Sequence, residues 1–110
     1  VGQLMVRHPD VPVIGFPKGA GAKLAAYAAE TGVDAVGLDE TVDPAWADAN
    51  LPAGMPVQGN LDPLALIAGA QALEQAVARI RHALGGRPHV FNLGHGILQD
   101  TPIAHVEHLF

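Results

Sequence analysis

Short runs of strand-forming residues alternate along the chain with segments in which apolar residues recur every three or four positions. The runs predict strands over residues 11–16, 35–38, 56–61 and 90–93. The intervening segments predict helices over residues 22–31, 44–48, 63–84 and from Pro102 onward, with residues 1–6 as the tail of a preceding helix. The pattern therefore predicts four strand–helix units.

Capping residues support these boundaries. Asp43-Pro44, Asp62-Pro63 and Thr101-Pro102 each combine an N-cap side chain with a proline suited to a first helical turn, and Gly32 and Gly85 fit C-terminal caps. The most regular helix, residues 63–84, carries an apolar stripe that we expect to pack on a sheet: Leu66, Ala70, Leu73, Val77, Ile80 and Leu84. The last helix carries a shorter stripe of Ile103, Val106 and Phe110.

Strand–helix units spaced by about 30 residues or fewer predict an α/β fold with a parallel sheet and right-handed crossovers. Periodicity alone does not distinguish a barrel from an open doubly wound sheet. Either architecture binds ligands beyond the carboxyl ends of its strands. Lys18, Asp39, Asn60 and His95 fall at those ends and are the candidate site residues.

His95 is the most prominent candidate because it follows the last predicted strand within the turn Gly94-His95-Gly96. The flanking glycines leave room for a ligand to approach the backbone. A histidine in this place could instead hydrogen-bond a local carbonyl group, which is the commoner fate of a lone histidine. Both interpretations stay open from the residues alone.

Composition narrows the functional classes. The 110 residues are 49% hydrophobic, which is ample for a buried core. A net charge of -5 disfavours nucleic acid and anionic membranes as partners, and no apolar run approaches the roughly 20 residues of a membrane span. The lack of cysteine excludes disulfides, thiolate nucleophiles and Cys-based zinc sites. We expect a soluble, cytoplasmic protein.

Two apparent motifs are weak. Gly19-Ala20-Gly21 lies between a strand and a helix, but Leu24 occupies the third glycine position of a dinucleotide-binding turn. His105, Glu107 and His108 lack further ligands at a suitable spacing, so a solvated helix face is the better interpretation and we expect no metal site. Because the chain opens on Val1 and closes within an amphipathic pattern, we also expect it to be a fragment.

Four phrases together resemble the uroporphyrinogen decarboxylase family and occur in that family's order. They are Gly-Phe-Pro-Lys-Gly-Ala-Gly (15–21), Thr-Gly-Val-Asp-Ala-Val-Gly-Leu-Asp (31–39), Pro-Val-Gln-Gly-Asn-Leu-Asp-Pro (56–63) and Val-Phe-Asn-Leu-Gly-His-Gly-Ile (90–97). The resemblance implies that residues 1–110 are a partial domain, the carboxyl-terminal half of a single barrel, comprising the last four βα units of a TIM (β/α)8 barrel.

By this resemblance the parent enzyme removes carbon dioxide from the four acetate side chains of uroporphyrinogen III, giving coproporphyrinogen III in haem biosynthesis. It would need no metal or organic cofactor, and the full-length protein would be a homodimer. His95 matches the family's substrate-binding histidine. The family's site aspartate, arginines, tyrosine and serine belong to its upstream half, so no catalytic residue is assigned here.

Two features depart from this expectation. Many family members carry Trp-Thr or Thr-Thr where this chain has Glu40-Thr41, and the acidic net charge does not suit a polyanionic substrate unless the basic groups lie upstream. The alternatives are a related corrinoid-dependent methyltransferase, disfavoured because its zinc site uses cysteine, and a catalytically inert structural half-barrel. For the 110 residues in isolation we expect the inert state, and for the parent protein the decarboxylase.

Overall fold

The computed structural model describes residues 2–110, and strands alternate with helices over most of that range. Helix and strand bounds are α1 (Gly2–Arg7), β1 (Ile14–Gly15), α2 (Leu24–Thr31), β2 (Ala35–Gly37), α3 (Pro44–Asn50), β3 (Val57–Gln58), α4 (Pro63–Ala68), α5 (Ala70–Leu84), β4 (His89–Val90) and α6 (Ile103–Leu109). A 3-10 turn, Gly21–Lys23, precedes α2. The helix predicted at residues 1–6 is confirmed for its described part, residue 1 lying outside the described residues.

The four strands form one parallel sheet in the order β1-β2-β3-β4. Each strand is shorter than predicted. In β3 the cause is Gly59, whose φ of 126° turns the backbone out of the extended conformation, and pairing resumes only at the bridge between Leu61 and Leu93. The sequence thus located the strands correctly but overestimated their length.

Only one face of this sheet is covered. Val36, Val57 and His89 pair across three strands, and the two valines are almost fully buried beneath the helices. On the opposite face, Ile14 is 51% exposed and Val90 is 55% exposed. Since successive residues of a strand point to opposite faces, the helices lie on a single side of the sheet.

The predicted helix 63–84 is in fact two helices. Gly69 adopts φ 65° and ψ -163°, which ends α4, and α5 begins at Ala70, which has a positive φ of 47° and is exposed. Most of the predicted stripe is nevertheless confirmed, because Leu66, Leu73, Ile80 and Leu84 are buried and Val77 is half-buried. The prediction is wrong for Ala70, which is exposed and does not belong to the buried stripe.

The predicted start of α6 is also wrong. The Thr101 hydroxyl donates to the carbonyl oxygen of Leu98 at 2.7 Å, and Pro102 occupies the N-cap position without a side-chain cap. Ile103 is 77% exposed and Phe110 is 99% exposed, so of the predicted stripe only Val106 packs against the core. By contrast, Asp43 and Asp62 cap α3 and α4 as predicted, accepting from Ala45 N–H and Leu64 N–H.

Arg87 links the segments that precede β3 and β4, at the amino ends of these strands. Its guanidinium donates to Asp48 Oδ1 at 2.9 Å and to the carbonyl oxygens of Asp48, Pro52 and Met55. The side chain is 4% exposed, so this cation stabilises the fold and is not available to a ligand. None of the helices within residues 2–110 is long and apolar enough to cross a membrane.

Candidate functional site

The loops beyond the carboxyl ends of the strands are joined by the carboxylate of Asp39, which follows β2. Its Oδ2 accepts from Gly19 N–H in the loop after β1 at 2.6 Å. Its Oδ1 accepts from Thr41 N–H at 2.9 Å and from the Thr41 hydroxyl. One buried side chain therefore fixes two neighbouring loops, and Gly19 belongs to this contact and not to a dinucleotide-binding turn.

The ionised form of Asp39 is favoured despite its burial. Burial alone would raise the pKa of this carboxyl group. The hydrogen bonds from Gly19 and Thr41, together with the positive charge of Lys18, outweigh that effect and hold the pKa below its ordinary value. Lys18 itself is exposed, so it contributes positive charge to the surface of the loop that follows β1.

Asn60, which follows β3, lies against the same loop. Its Nδ2 donates to the carbonyl oxygens of Asp39 at 3.1 Å and Val42 at 2.6 Å. The side chain is 4% exposed, and its Oδ1 has no hydrogen-bond partner among the described residues. Glu40 Oε2 is likewise buried and unpartnered within that part of the chain. Asn60 is therefore a structural clamp that leaves one acceptor unsatisfied.

Gly94 brings the loop after β4 against this clamped segment. A Cβ placed at Gly94 would overlap the backbone of Asp39 and Glu40, so only glycine fits. The Gly94 N–H also donates to the carbonyl oxygen of Leu61 at 2.8 Å. The turn that carries His95 thus packs against the loops that follow β2 and β3, at the carboxyl ends of the strands.

His95 is exposed at this edge. One ring nitrogen is hydrogen-bonded to another group of the chain in each of His89, His105 and His108. Neither ring nitrogen of His95 has such a bond within residues 2–110. The alternative in which His95 bonds a local carbonyl group therefore finds no support in its contacts. The imidazole is therefore accessible to solvent beyond the carboxyl ends of the strands.

The four candidate residues are brought to one edge but play different parts. Asp39 and Asn60 are buried in the loop structure, while Lys18 and His95 are exposed. The spacing of the residues could place them on this edge but could not reveal which of them hold loops, because the hydrogen bonds join positions about 20 residues apart in the sequence.

Two features escaped the sequence reasoning. His89 Nε2 bonds the carbonyl oxygen of Gly59, and its ring packs edge-on against Phe91 at 5.9 Å between centroids. A largely apolar cavity of about 600 Å³ lies between β4, α5 and α6, lined by residues that include Leu66, Phe91 and Val106. None of the four candidate residues lines it, although Leu93 and Ile97 of the loop after β4 do.

The two histidines of α6 are hydrogen-bonded to other groups of the chain. His105 is half-buried and its Nδ1 lies 2.8 Å from the carbonyl oxygen of Leu66, so it is not part of a fully solvated face as expected. His108 is exposed and pairs with Glu74 at 3.2 Å. No group of three or more potential metal-ligating side chains occurs among the residues that the structure describes.

The fold and these loops define an α/β protein whose candidate site lies beyond the carboxyl ends of parallel strands. The family profile described as uroporphyrinogen decarboxylase (URO-D) matches residues 1–110. The chain belongs to the uroporphyrinogen decarboxylase family, which confirms the resemblance seen in its motifs.

Curated relatives agree with this assignment. The chain is 72% identical over 109 residues to uroporphyrinogen decarboxylase of Sphingopyxis alaskensis, covering 99% of this chain and 32% of the relative. It is 75% identical over 109 residues to that of Rhizorhabdus wittichii, with the same coverage, and 67% identical over 103 residues to that of Novosphingobium aromaticivorans, covering 94% and 30%. The chain thus spans about a third of the length of these relatives.

Proposed function

We propose that this chain is the carboxyl-terminal part of a uroporphyrinogen decarboxylase, a carboxy-lyase that converts uroporphyrinogen III to coproporphyrinogen III in haem biosynthesis. The observation that carries the proposal is the family match over residues 1–110, with relatives of that name at 67–75% identity. A corrinoid-dependent methyltransferase fits less well, because the zinc site expected of that class uses cysteine and this chain has none.

We further infer that the four strand–helix units are the last four of a (β/α)8 barrel. The strand order follows the sequence without a reversal, whereas a doubly wound sheet reverses its order at the binding crevice. Right-handed crossovers that advance in one direction place all helices on one face, which leaves the other face for a barrel interior. The exposure of Ile14 and Val90 on that face supports this architecture.

In this proposal His95 binds a carboxylate of the substrate. An imidazole can serve as a cation or as a hydrogen-bond donor toward such a group. Its exposed position on the seated Gly94-His95-Gly96 turn supports that role. Lys18 adds positive charge to the same edge and would favour approach of a polyanion.

The proposal divides the chemistry between two parts of the protein. Loss of carbon dioxide from an acetate side chain needs an electron sink, which a protonated pyrrole ring would provide. The aspartate and arginines that would hold the pyrrole NH groups and the carboxylates are expected in the upstream part, and no cofactor is expected. A homodimeric assembly and a cytoplasmic location also remain predictions.

The proposal is tested in a chimera in which this chain replaces the matching third of the Sphingopyxis alaskensis relative. We expect the chimera to form coproporphyrinogen from uroporphyrinogen, measured by separating the oxidised porphyrins. A folded chimera that lacks turnover while the unmodified relative is active would contradict the proposal.

In the same chimera, His95→Ala should reduce kcat/KM about 10- to 100-fold, the loss expected when a hydrogen bond to a charged group is removed. The melting temperature should change little, because an exposed loop residue contributes little packing. Unchanged kinetics would refute the role of His95 while leaving the decarboxylase assignment intact.

A further inference from the structure

Asn60 and Asp39 are both buried polar residues at the carboxyl ends of the strands, and they differ in one respect. Both oxygens of the Asp39 carboxylate accept hydrogen bonds, whereas Asn60 Oδ1 accepts none. Burying an unsatisfied acceptor destabilises a protein, and an apolar side chain of similar volume would avoid that loss. The contribution of Asn60 therefore lies in the two bonds that its Nδ2 donates.

Those two bonds hold both ends of one short segment. The acceptors are the carbonyl oxygens of Asp39 and Val42, and Val42 N–H donates to the same Asp39 oxygen at 3.2 Å. Residues 39–42 are thereby held as a compact turn against the end of β3.

The clamped turn is the surface on which Gly94 rests. A Cβ at Gly94 would come within 2.9 Å of Glu40 Cα and closer still to other backbone atoms of Asp39 and Glu40. The position of Gly94 therefore follows the position of residues 39–42. Because His95 is the next residue, its backbone direction is determined by the same contact.

We propose that Asn60 is a positioning residue for His95. By clamping residues 39–42 it fixes the surface against which Gly94 packs, and so determines where the imidazole of His95 lies at the carboxyl edge. Asn60 acts through backbone contacts and does not itself bind the substrate. The inference rests on the proposed role of His95 in the parent enzyme.

The kinetic test uses Asn60→Ala, His95→Ala and the double variant in the chimera. Asn60→Ala should raise KM for uroporphyrinogen about three- to tenfold with a smaller change in kcat, because a displaced binding group loses part of its contact. If Asn60 acts only through His95, the double variant should be no worse than His95→Ala, since residues in one pathway are not additive. If the increase in KM for the double variant instead equals the product of the increases for Asn60→Ala and His95→Ala, the inference is overturned.

Hydrogen exchange provides a readout that does not depend on turnover. Asn60→Ala should increase exchange in the peptide that contains Gly94 N–H, which donates to Leu61, relative to the unchanged chimera. Asn60→Leu keeps the branched shape of the side chain and removes the Nδ2 donor, so it should show the same local increase even if Asn60→Ala folds poorly.

Leu73→Ala is the matched control, because Leu73 is equally buried but lies on α5, outside the loop contacts. It should lower the melting temperature while leaving KM and the relative protection of the 91–97 segment unchanged. Exchange in that segment that stays unchanged in both Asn60 variants would refute the inference. If the chimera is folded but inactive, the proposed decarboxylase function fails, and the exchange result alone decides the positioning role.

Discussion

Asp39 illustrates what the sequence reveals about a single residue and what it leaves open. Its place just after a strand predicted a position at the carboxyl edge, and the structure puts it there. Its partners could not be predicted, because Gly19 lies in another loop and contributes only a backbone N–H. The partners of Asp43 and Asp62 were easier to predict, because the capped N–H groups lie two residues away and the following proline marks the helix start.

The lowered pKa of Asp39 predicts a pH-dependent contribution to stability. A carboxyl group whose pKa is lowered by folding stabilises the protein above the unfolded value of about 3.9, and this contribution is lost as the pH falls through the lower folded value. Asp39→Asn in the chimera should therefore reduce the free energy of unfolding by about 1–3 kcal/mol at pH 7. The difference from the unchanged chimera should shrink as the pH falls below about 4.

Asp62→Asn is the matched control for denaturant unfolding across this pH range. Asp62 accepts a single bond as a helix cap, and asparagine caps helices about as well as aspartate. Its effect at pH 7 should be small. A deficit for Asp39→Asn that is absent at pH 7, or that grows toward low pH, would contradict the assigned cause of the pKa shift.

At the scale of elements, periodicity predicted the type of each helix better than its limits. The stripe over residues 63–84 continues through Gly69 because apolar residues on both sides meet the same core. The break depends on the backbone of Gly69 and on His105, which packs beside it from another helix. A pattern of apolar residues contains no information about such a neighbour, so one long helix was predicted where two occur.

Gly69→Ala should therefore be strongly destabilising. Its φ of 65° and ψ of -163° disfavour a side chain, and a Cβ would lie 2.5 Å from His105 Cε1. Backbone strain and displacement of that ring together should reduce the free energy of unfolding by about 2–3 kcal/mol. Denaturant unfolding of the chimera measures the effect.

Gly54→Ala is the comparison variant that lacks the contact with His105. Gly54 also has a positive φ, 75°, but nothing lies within 4 Å of the position its Cβ would take. Only the backbone strain of about 1 kcal/mol applies there. Equal losses at the two glycines would show that the contact with His105 has no role.

The architecture of the whole molecule could be predicted only as far as a parallel sheet. The alternation of strands and helices requires crossovers but does not determine the order in which the strands lie. The order β1-β2-β3-β4 and the single covered face became known only from the structure. The four motif phrases, in contrast, were sufficient to identify the family.

The same architecture predicts how the 110 residues should behave alone. Among residues 2–110, β1 and β4 each pair with one strand only, and the uncovered face presents Ile14, Phe16 and Val90 to solvent. Strand edges and apolar patches of this kind favour association. We expect the isolated chain to self-associate, with two copies approximating one eight-stranded barrel, or to remain partly molten, and in neither state to decarboxylate uroporphyrinogen.

Size exclusion with light scattering tests the first part of this prediction, since a single chain has a mass of 11.4 kDa. Self-association gives a multiple of that mass that rises with concentration, and a molten monomer binds hydrophobic dyes and lacks a near-ultraviolet dichroism signal. A well-folded species that stays monomeric at high concentration would contradict the structural expectation, because the open edges and bare face would then be tolerated in water. Turnover by the purified chain would instead contradict the division of chemistry, because His95 and its edge would then suffice without the groups expected upstream.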